Sequence, residues 1–328
     1  MITARGLSRR FKTKAGPVEA VRAIDLDVAK GEIVGLLGPN GAGKTTTLRM
    51  LTTLLAPSGG TATVAGHDLL KDPRNVRRNI GYVAQVGSAP SAGTRVGEEL
   101  VTQARLQGLS KADAVKRLAE LTPTLQLNGL EGRALLELSG GQRRRFDIGL
   151  GLMHSPGLVF LDEPTAGLDP QSRANLWQHI RGLRDTLGLT VVLTTHYLEE
   201  ADALADRILV MDHGQIIAND TAEALKARIS GDVVSLVFDN AGADDLARAV
   251  DAARTATAVR AHVVGDSSLT VTVDQGHVAN APLIRAMDAA GLSLLTIEVS
   301  RPSLDDVFLT LTGRDEREAA TAQPADTH

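Results

Sequence analysis

The chain has 328 residues, enough for two domains, and is 43% hydrophobic, but only 2% is aromatic, so its cores must rest on Leu, Val, Ile and Ala. A net charge of −4 and the scarcity of aromatics exclude a dedicated binder of nucleic acid or anionic membrane, which needs a basic field or stacking rings. The lack of cysteine excludes disulfides and thiolate metal sites and suits a cytoplasmic protein. No apolar run approaches the ~20 residues that cross a bilayer, and Met1–Arg5 lacks the apolar stretch of a secretory leader. A soluble protein with no covalent membrane anchor is expected, so any membrane part must come from another chain.

Ile33–Leu37 is a short apolar run that stops at Gly38, as a buried strand does before a turn. Thr45–Leu55 reads as a helix ended by Pro57-Ser58-Gly59-Gly60, and Val96–Leu127 has the spacing of a helical lobe. Leu158–Leu161 and Thr190–Thr194 read as further buried strands. Strands alternating with helices predict a mostly parallel α/β sheet covered on both faces.

After about residue 229 the pattern changes. Val233–Phe238 reads as strand and Ala243–Ala253 as helix, with Leu246 and Val250 on one face. Val259–Val264 and Leu269–Val273 read as a strand pair turning at Gly265-Asp266, followed by a helix at Val278–Ala290 and a strand at Leu292–Val299. That order, β-α-β-β-α-β, predicts a small α+β domain of ferredoxin-like type. Leu304–Leu311 reads as a last helix, and Gly313–His328 is polar and aperiodic. The expected domains are 1–228, 229–313 and a disordered tail, 314–328.

Gly38-Pro39-Asn40-Gly41-Ala42-Gly43-Lys44-Thr45 fits the phosphate-loop pattern and lies between a predicted strand and helix. Its glycines let backbone N–H groups converge on phosphate oxygens, and the helix N-terminus adds partial positive charge. Lys44 can reach the β- and γ-phosphates, and the Thr45 hydroxyl can ligate Mg²⁺. Leu158–Leu161 runs into Asp162-Glu163. Asp162 is placed to hold Mg²⁺ and Glu163 to polarise an attacking water as general base. Acids at a strand end are commonly solvated turn residues, and the phosphate loop is what gives this pair a chemical meaning.

Leu138-Ser139-Gly140-Gly141-Gln142 resembles the signature of ABC ATPases, and it precedes the acid strand as that family requires. Asp162-Glu163-Pro164-Thr165-Ala166-Gly167-Leu168-Asp169 is similar to the family's extended Walker B and D-loop. Gln85 matches its Q-loop, His196 its H-loop, and Phe11 the aromatic that stacks on adenine. Taken singly, Gln85 reads as a surface residue, His196 as a structural histidine and Phe11 as core. The ordered resemblance over about residues 2–228 is what implies their roles. It implies a fold of the P-loop ABC ATPase type, with ATP and Mg²⁺ as cofactors. The implied nucleotide contacts are Phe11, the 38–45 loop with Thr46, Gln85, the signature Ser139, Gly140, Gly141 and Gln142, Asp162, Glu163, Asp169 and His196. Lys44, Gln85, Glu163 and His196 would be catalytic, and Thr45, Gln85 and Asp162 would attend the metal. The run Arg143-Arg144-Arg145 reads as a solvated or ion-paired face.

The resemblance also implies a homodimer in which each ATP is trapped between Lys44 of one copy and Ser139 of the other. Val299–Gly313, Gly81–Ala89 and Gln103–Leu106 are similar to the daunorubicin-resistance type of exporter. That similarity implies a separate transmembrane permease, a place on the cytoplasmic face of the membrane, and export of a hydrophobic drug or natural product. The stretch Pro90–Arg95 departs from the wider family where it normally meets the permease. A soluble ABC ATPase of translation or DNA repair is the alternative. One phosphate loop, no sustained heptads between Gly43 and Ser139, and the acidic balance count against it.

Overall fold

Strand alternation sets the layers of this molecule. The computed structural model describes residues 1–14, 16–85, 93–227, 231–239, 241–300 and 303–312. The chain divides into two units, Met1–Thr221 and a second that begins at Ala222. The first contains strands β1 (Ile2–Thr13), β2 (Gly16–Val28), β3 (Ile33–Leu37), β4 (Gly59–Val64), β5 (His67–Asp68), β6 (Ile80–Val83), β7 (Leu158–Asp162), β8 (Thr190–Thr195), β9 (Arg207–Asp212) and β10 (Gln215–Asp220). Its helices are α1 (Lys44–Leu51), α2 (Pro73–Asn79), α3 (Val96–Leu106), α4 (Lys111–Thr124), α5 (Gly140–Leu152), α6 (Pro170–Leu187) and α7 (Leu198–Leu204).

The central sheet has the order β10-β9-β3-β8-β7-β6, parallel from β9 to β6 with β10 antiparallel at its edge. Val34, Leu36, Leu158 and Phe160 point into one core, shared with β1, β2, β4 and α1. Ile33, Val159 and Leu161 point into the other, shared with α3, α4, α5 and α6. A period of two on a doubly covered strand demands this division. It also leaves the carboxyl ends of β3, β7 and β8 side by side, where an open α/β sheet binds its ligand.

A second sheet, β2-β1-β4-β5, is antiparallel and has no counterpart in the sequence reading. The pairing of β1 with β2 shifts register between Ala4 and Arg10, and Ala23 in β2 has a left-handed backbone (φ 49°). These irregularities break the alternation by which a strand is recognised. Helix α1 ends at Leu51 rather than Leu55, because Thr52 Oγ1 donates back to Leu48 O at 2.9 Å and Thr53 turns left-handed (φ 64°). The expected helical lobe is α3 and α4, parted at Gly108 (φ 100°) and restarted by the Ser110 cap on Asp113 N.

The second unit opens with helix α8 (Ala222–Ala227), which packs with the last helix, α11 (Leu304–Thr312). Between them run β11 (Asp232–Phe238), α9 (Ala243–Ala256), β12 (Val259–Val264), β13 (Ser268–Val273), α10 (Gly276–Ala289) and β14 (Leu294–Ser300). The sheet order β12-β13-β11-β14 is antiparallel throughout, as a ferredoxin-like domain requires. Its core joins Leu236, Leu269 and Val271 to Leu246, Val250 and Leu283 from the two long helices. The tail at 314–328 and part of the Pro90–Arg95 stretch lie outside the described residues.

Candidate functional site

The loop from β3 to α1 is shaped by what surrounds it. Gly43 caps α1 with φ 102°, and a Cβ there would lie 2.5 Å from Ala20 O. Only glycine meets both conditions without strain. The cap carries no side-chain hydrogen bond and the first turn of α1 has no acid, so the helix presents unshielded N–H groups. Lys44, 5% exposed, folds back so that Nζ donates to Gly38 O at 2.6 Å and Pro39 O at 3.0 Å. Burial pulls its pKa down to about 8, partly offset by the charges of Glu163 and Asp162. A buried cation whose hydrogen bonds go to carbonyls, beside a bare helix N-terminus, fits a polyanion.

Across the sheet, the end of β7 brings two carboxylates to the same place. Asp162, 1% exposed, accepts hydrogen bonds from Thr45 Oγ1 at 3.0 Å and Thr194 Oγ1 at 2.7 Å. Glu163 is a non-glycine residue with a left-handed backbone, φ 44°. Such strain costs on the order of 1–3 kcal/mol and gathers at functional positions. It is held by its N–H, which donates to Thr194 Oγ1 at 3.0 Å. The Glu163 carboxylate faces two neighbours. Gln85 Nε2 donates to Oε2 at 2.8 Å, and His196 Nδ1 lies 3.3 Å from Oε1 as a close but poorly aligned contact. His196, with Lys44 behind it, holds the Glu163 carboxyl below its usual range against the opposing effect of burial.

The phosphate loop, Gln85, Asp162, Glu163 and His196 thus meet at the strand ends. Phe11 stands on β1 opposite Val18, half-buried, with the Arg9 guanidinium 4.6 Å from its ring centroid. The signature does something different. Ser139 and Gln142 form a capping box at the start of α5: Gln142 N donates to Ser139 Oγ at 3.3 Å, and Ser139 N to Gln142 Oε1 at 3.0 Å. A Cβ added at Gly140 or Gly141 would meet only ordinary contacts, Leu168 Cδ2 and Ser172 Oγ at 3.5 Å. The chain's own packing does not require glycine there, and Ser139 and Gly140 are exposed. Asp169 caps α6 by accepting from Ser172 N at 2.9 Å and Ser172 Oγ at 2.6 Å.

Three residues of the neighbourhood escaped the sequence reading. Thr194 bridges Asp162 and the Glu163 amide, and it was legible only as part of an apolar strand. Arg144 corrects the reading of 143–145 as a solvated face. It is 7% exposed, and its guanidinium is spent on main-chain carbonyls of the site. Neighbouring Arg143 does follow the ion-paired reading, with Nε 3.3 Å from Asp147. Glu200, fully buried on α7, accepts from Trp177 Nε1 at 3.2 Å. Burial pushes its carboxyl up, against the polar groups of nearby Thr195, Thr165 and Trp177 and the charge of His196. No apolar periodicity announces a buried charge of either sign.

Comparison with known proteins gives the family of the chain. The sequence profile of the ABC transporter family matches residues 21–166. The daunorubicin/doxorubicin resistance ATP-binding protein DrrA of Streptomyces peucetius is 43% identical over 94% of this chain and 92% of its own length. The linearmycin resistance ATP-binding protein LnrL of Bacillus subtilis is 35% identical over 95% of this chain and 99% of its own. Among solved structures, cbiO1 of Clostridium perfringens, part of the ABC transporter complex cbiONQ, superposes with a TM-score of 0.61 at 26% identity. That superposition covers 69% of this chain and 90% of cbiO1.

Proposed function

The chain belongs to the ABC transporter family as an ATP-binding, ATP-hydrolysing subunit, and on that premise we propose that it powers export of a hydrophobic drug or natural product through a separate permease. The substrate class rests on the relatives, two of which are resistance proteins for daunorubicin/doxorubicin and for linearmycin. Among the described residues no helix is long and apolar enough to cross a membrane, so the reading assigns the permease to another chain and sets this one against the cytoplasmic face.

The observation that carries the enzymology is the convergence of Lys44, Gln85, Glu163 and His196 on one pocket. In this reading the phosphate loop wraps the β- and γ-phosphates with its amides, Lys44 neutralises them, and Phe11 stacks on adenine with its other side steadied by Arg9. The Thr45 hydroxyl and Asp162, already in contact, would hold Mg²⁺ with nucleotide and water oxygens, and Gln85 would attend the same ion. Bound there, the metal would supply charge neutralisation of the phosphates. Glu163, kept ionised by His196 and Lys44, takes a proton from the attacking water, while His196 faces the γ-phosphate. The ring and Gln85 fix the orientation of the Glu163 carboxylate.

The signature completes the site from a second copy. The start of α5 is glycine-lined and exposed at Ser139 and Gly140, although its own fold leaves room for side chains. Such a helix N-terminus suits a phosphate arriving from outside. Ser139, Gly140, Gly141 and Gln142 of one copy would close over ATP held by Lys44 of the other, with Asp169 near the seam. Hydrolysis would release the pair, and that stroke would drive the permease. The second unit, in which the described residues form no catalytic constellation, would steady the dimer or regulate it.

Transport tests the proposal. Membrane vesicles carrying the chain with its co-purifying permease should accumulate doxorubicin on ATP addition, and Lys44→Ala should abolish the uptake. Hydrolysis without uptake of any hydrophobic drug tried would overturn export while leaving the ATPase intact.

A further inference from the structure

Outside the pocket itself, the most unusual feature of the first unit is where the Arg144 side chain goes. Its Nε donates to Pro164 O at 2.7 Å. Nη1 donates to Ala84 O at 2.7 Å and Gln85 O at 3.4 Å, and Nη2 to Asp162 O at 3.0 Å and Glu163 O at 3.3 Å. The guanidinium therefore holds, through backbone alone, the ends of both strands that deliver Gln85 and Glu163. Burial lowers its pKa, with Asp147, Glu200 and Asp162 supplying the opposing negative charge, and arginine stays protonated throughout. A planar fork of five N–H donors meets this array of carbonyls, and a lysine ammonium cannot reach them all.

Arg144 also belongs to α5, the helix whose first turn is the signature. Ser139 and Arg144 are separated by roughly 7 Å along a continuous helix, at 1.5 Å per residue. A helix this short moves as a rigid piece. Whatever settles at its N-terminus therefore shifts the guanidinium, and with it the carbonyls of Gln85 and Glu163.

We infer that Arg144 is a positioning residue for hydrolysis, tying the signature helix to the backbone of Gln85 and Glu163. A phosphate bound at the signature sets the geometry of the base in the same copy. This inference rests on the two-copy reading above, in which that phosphate belongs to the ATP held by the other copy. Each copy then hydrolyses its own ATP only when its signature is also engaged, and the two sites fire together. Gly81 packs against this same region: a Cβ there would lie 2.3 Å from Gly151 O on α5, so the helix and β6 are seated backbone to backbone. The tie has little slack.

The test uses the full chain with Arg144→Lys and Arg144→Gln. For at least one folded variant, ATP affinity, read by fluorescent nucleotide titration, should stay within about threefold of wild type, because no ligand-facing group changes. The kcat should fall at least about tenfold, and the Hill coefficient for ATP should drop from about 2 towards 1. Lysine should retain more activity than glutamine, because it keeps the charge. A purely structural arginine would lower the melting temperature without separating kcat from affinity. Folded variants with kcat and Hill coefficient within about threefold and 0.3 of wild type would overturn the tie. So would failure of both variants to fold, which would make Arg144 a stability element. Glu163→Gln, made alongside, separates the two ideas. If it stays monomeric with ATP, the two-copy reading fails. If it dimerises while the Arg144 variants hydrolyse normally, the tie alone fails.

Discussion

Two glycines of one loop, Gly41 and Gly43, should respond very differently to the same added methyl group. Gly41 has φ 83° and nothing within 4 Å of the position a Cβ would take. Gly43 has φ 102° and a Cβ position 2.5 Å from Ala20 O and 3.4 Å from a Val21 methyl. Gly41→Ala therefore incurs only the left-handed backbone cost, about 1–2 kcal/mol. Gly43→Ala incurs that cost and an overpacking cost of about 1–3 kcal/mol more, because the obstacle is main-chain oxygen rather than a side chain that can swing away. At about 2–4 °C per kcal/mol for a unit of this size, the melting temperature should fall by roughly 4 °C for Gly41→Ala and roughly 10 °C for Gly43→Ala. Thermal unfolding followed by circular dichroism without nucleotide reads both. ATP should recover part of the loss in the first and little in the second, since moving Ala20 also moves the first turn of α1. Equal melting temperatures for the two variants would refute the claim that β2 backbone fixes the phosphate loop.

Other consequences follow from single contacts. Thr194→Val deletes the donor to Asp162 and the acceptor of the Glu163 amide, so it should destabilise by about 1–3 kcal/mol in urea titration and lower kcat. Gly141→Ala meets no obstacle inside its own chain, and alanine favours helix by about 0.5–1 kcal/mol. It should melt no lower than wild type yet show weakened ATP-dependent dimerisation by analytical ultracentrifugation. Glu200 has a folded pKa above its ordinary value, so the folded state binds the proton more tightly than the unfolded chain. Its contribution to stability is complete below the ordinary carboxyl range and is lost as pH rises through the raised value. Glu200→Gln should therefore gain stability relative to wild type as pH rises across that window, read from paired melts. A constant difference at every pH would contradict the assignment.

Much of this was legible in the sequence, and the reasons are physical. The strand β3, the loop 38–45 and the acids ending β7 announce themselves because buried parallel strands are uninterrupted apolar runs, and because phosphate chemistry demands glycine, lysine and hydroxyl at fixed spacing. The second unit was readable because β11, β13 and their helices keep clean periods. What stayed hidden was made by contacts between distant segments. The register shifts of β1 and the left-handed Ala23 conceal the antiparallel sheet. Arg144 was concealed by its neighbours, since nothing in a run of three arginines says which one turns inward. The left-handed backbone of Glu163 is likewise invisible until Thr194 is seen to receive its amide.

The central claim is that Glu163 is the base and that two copies of this chain share each ATP. Glu163→Gln tests both at once. The amide oxygen can keep the bond from Gln85 Nε2, so the pocket survives while the proton acceptor is lost. With ATP, size-exclusion chromatography coupled to light scattering should show a stable dimer that disappears on ATP removal, while turnover falls by about 10²–10⁴. A monomer in saturating ATP, or hydrolysis at the wild-type rate, would contradict the account.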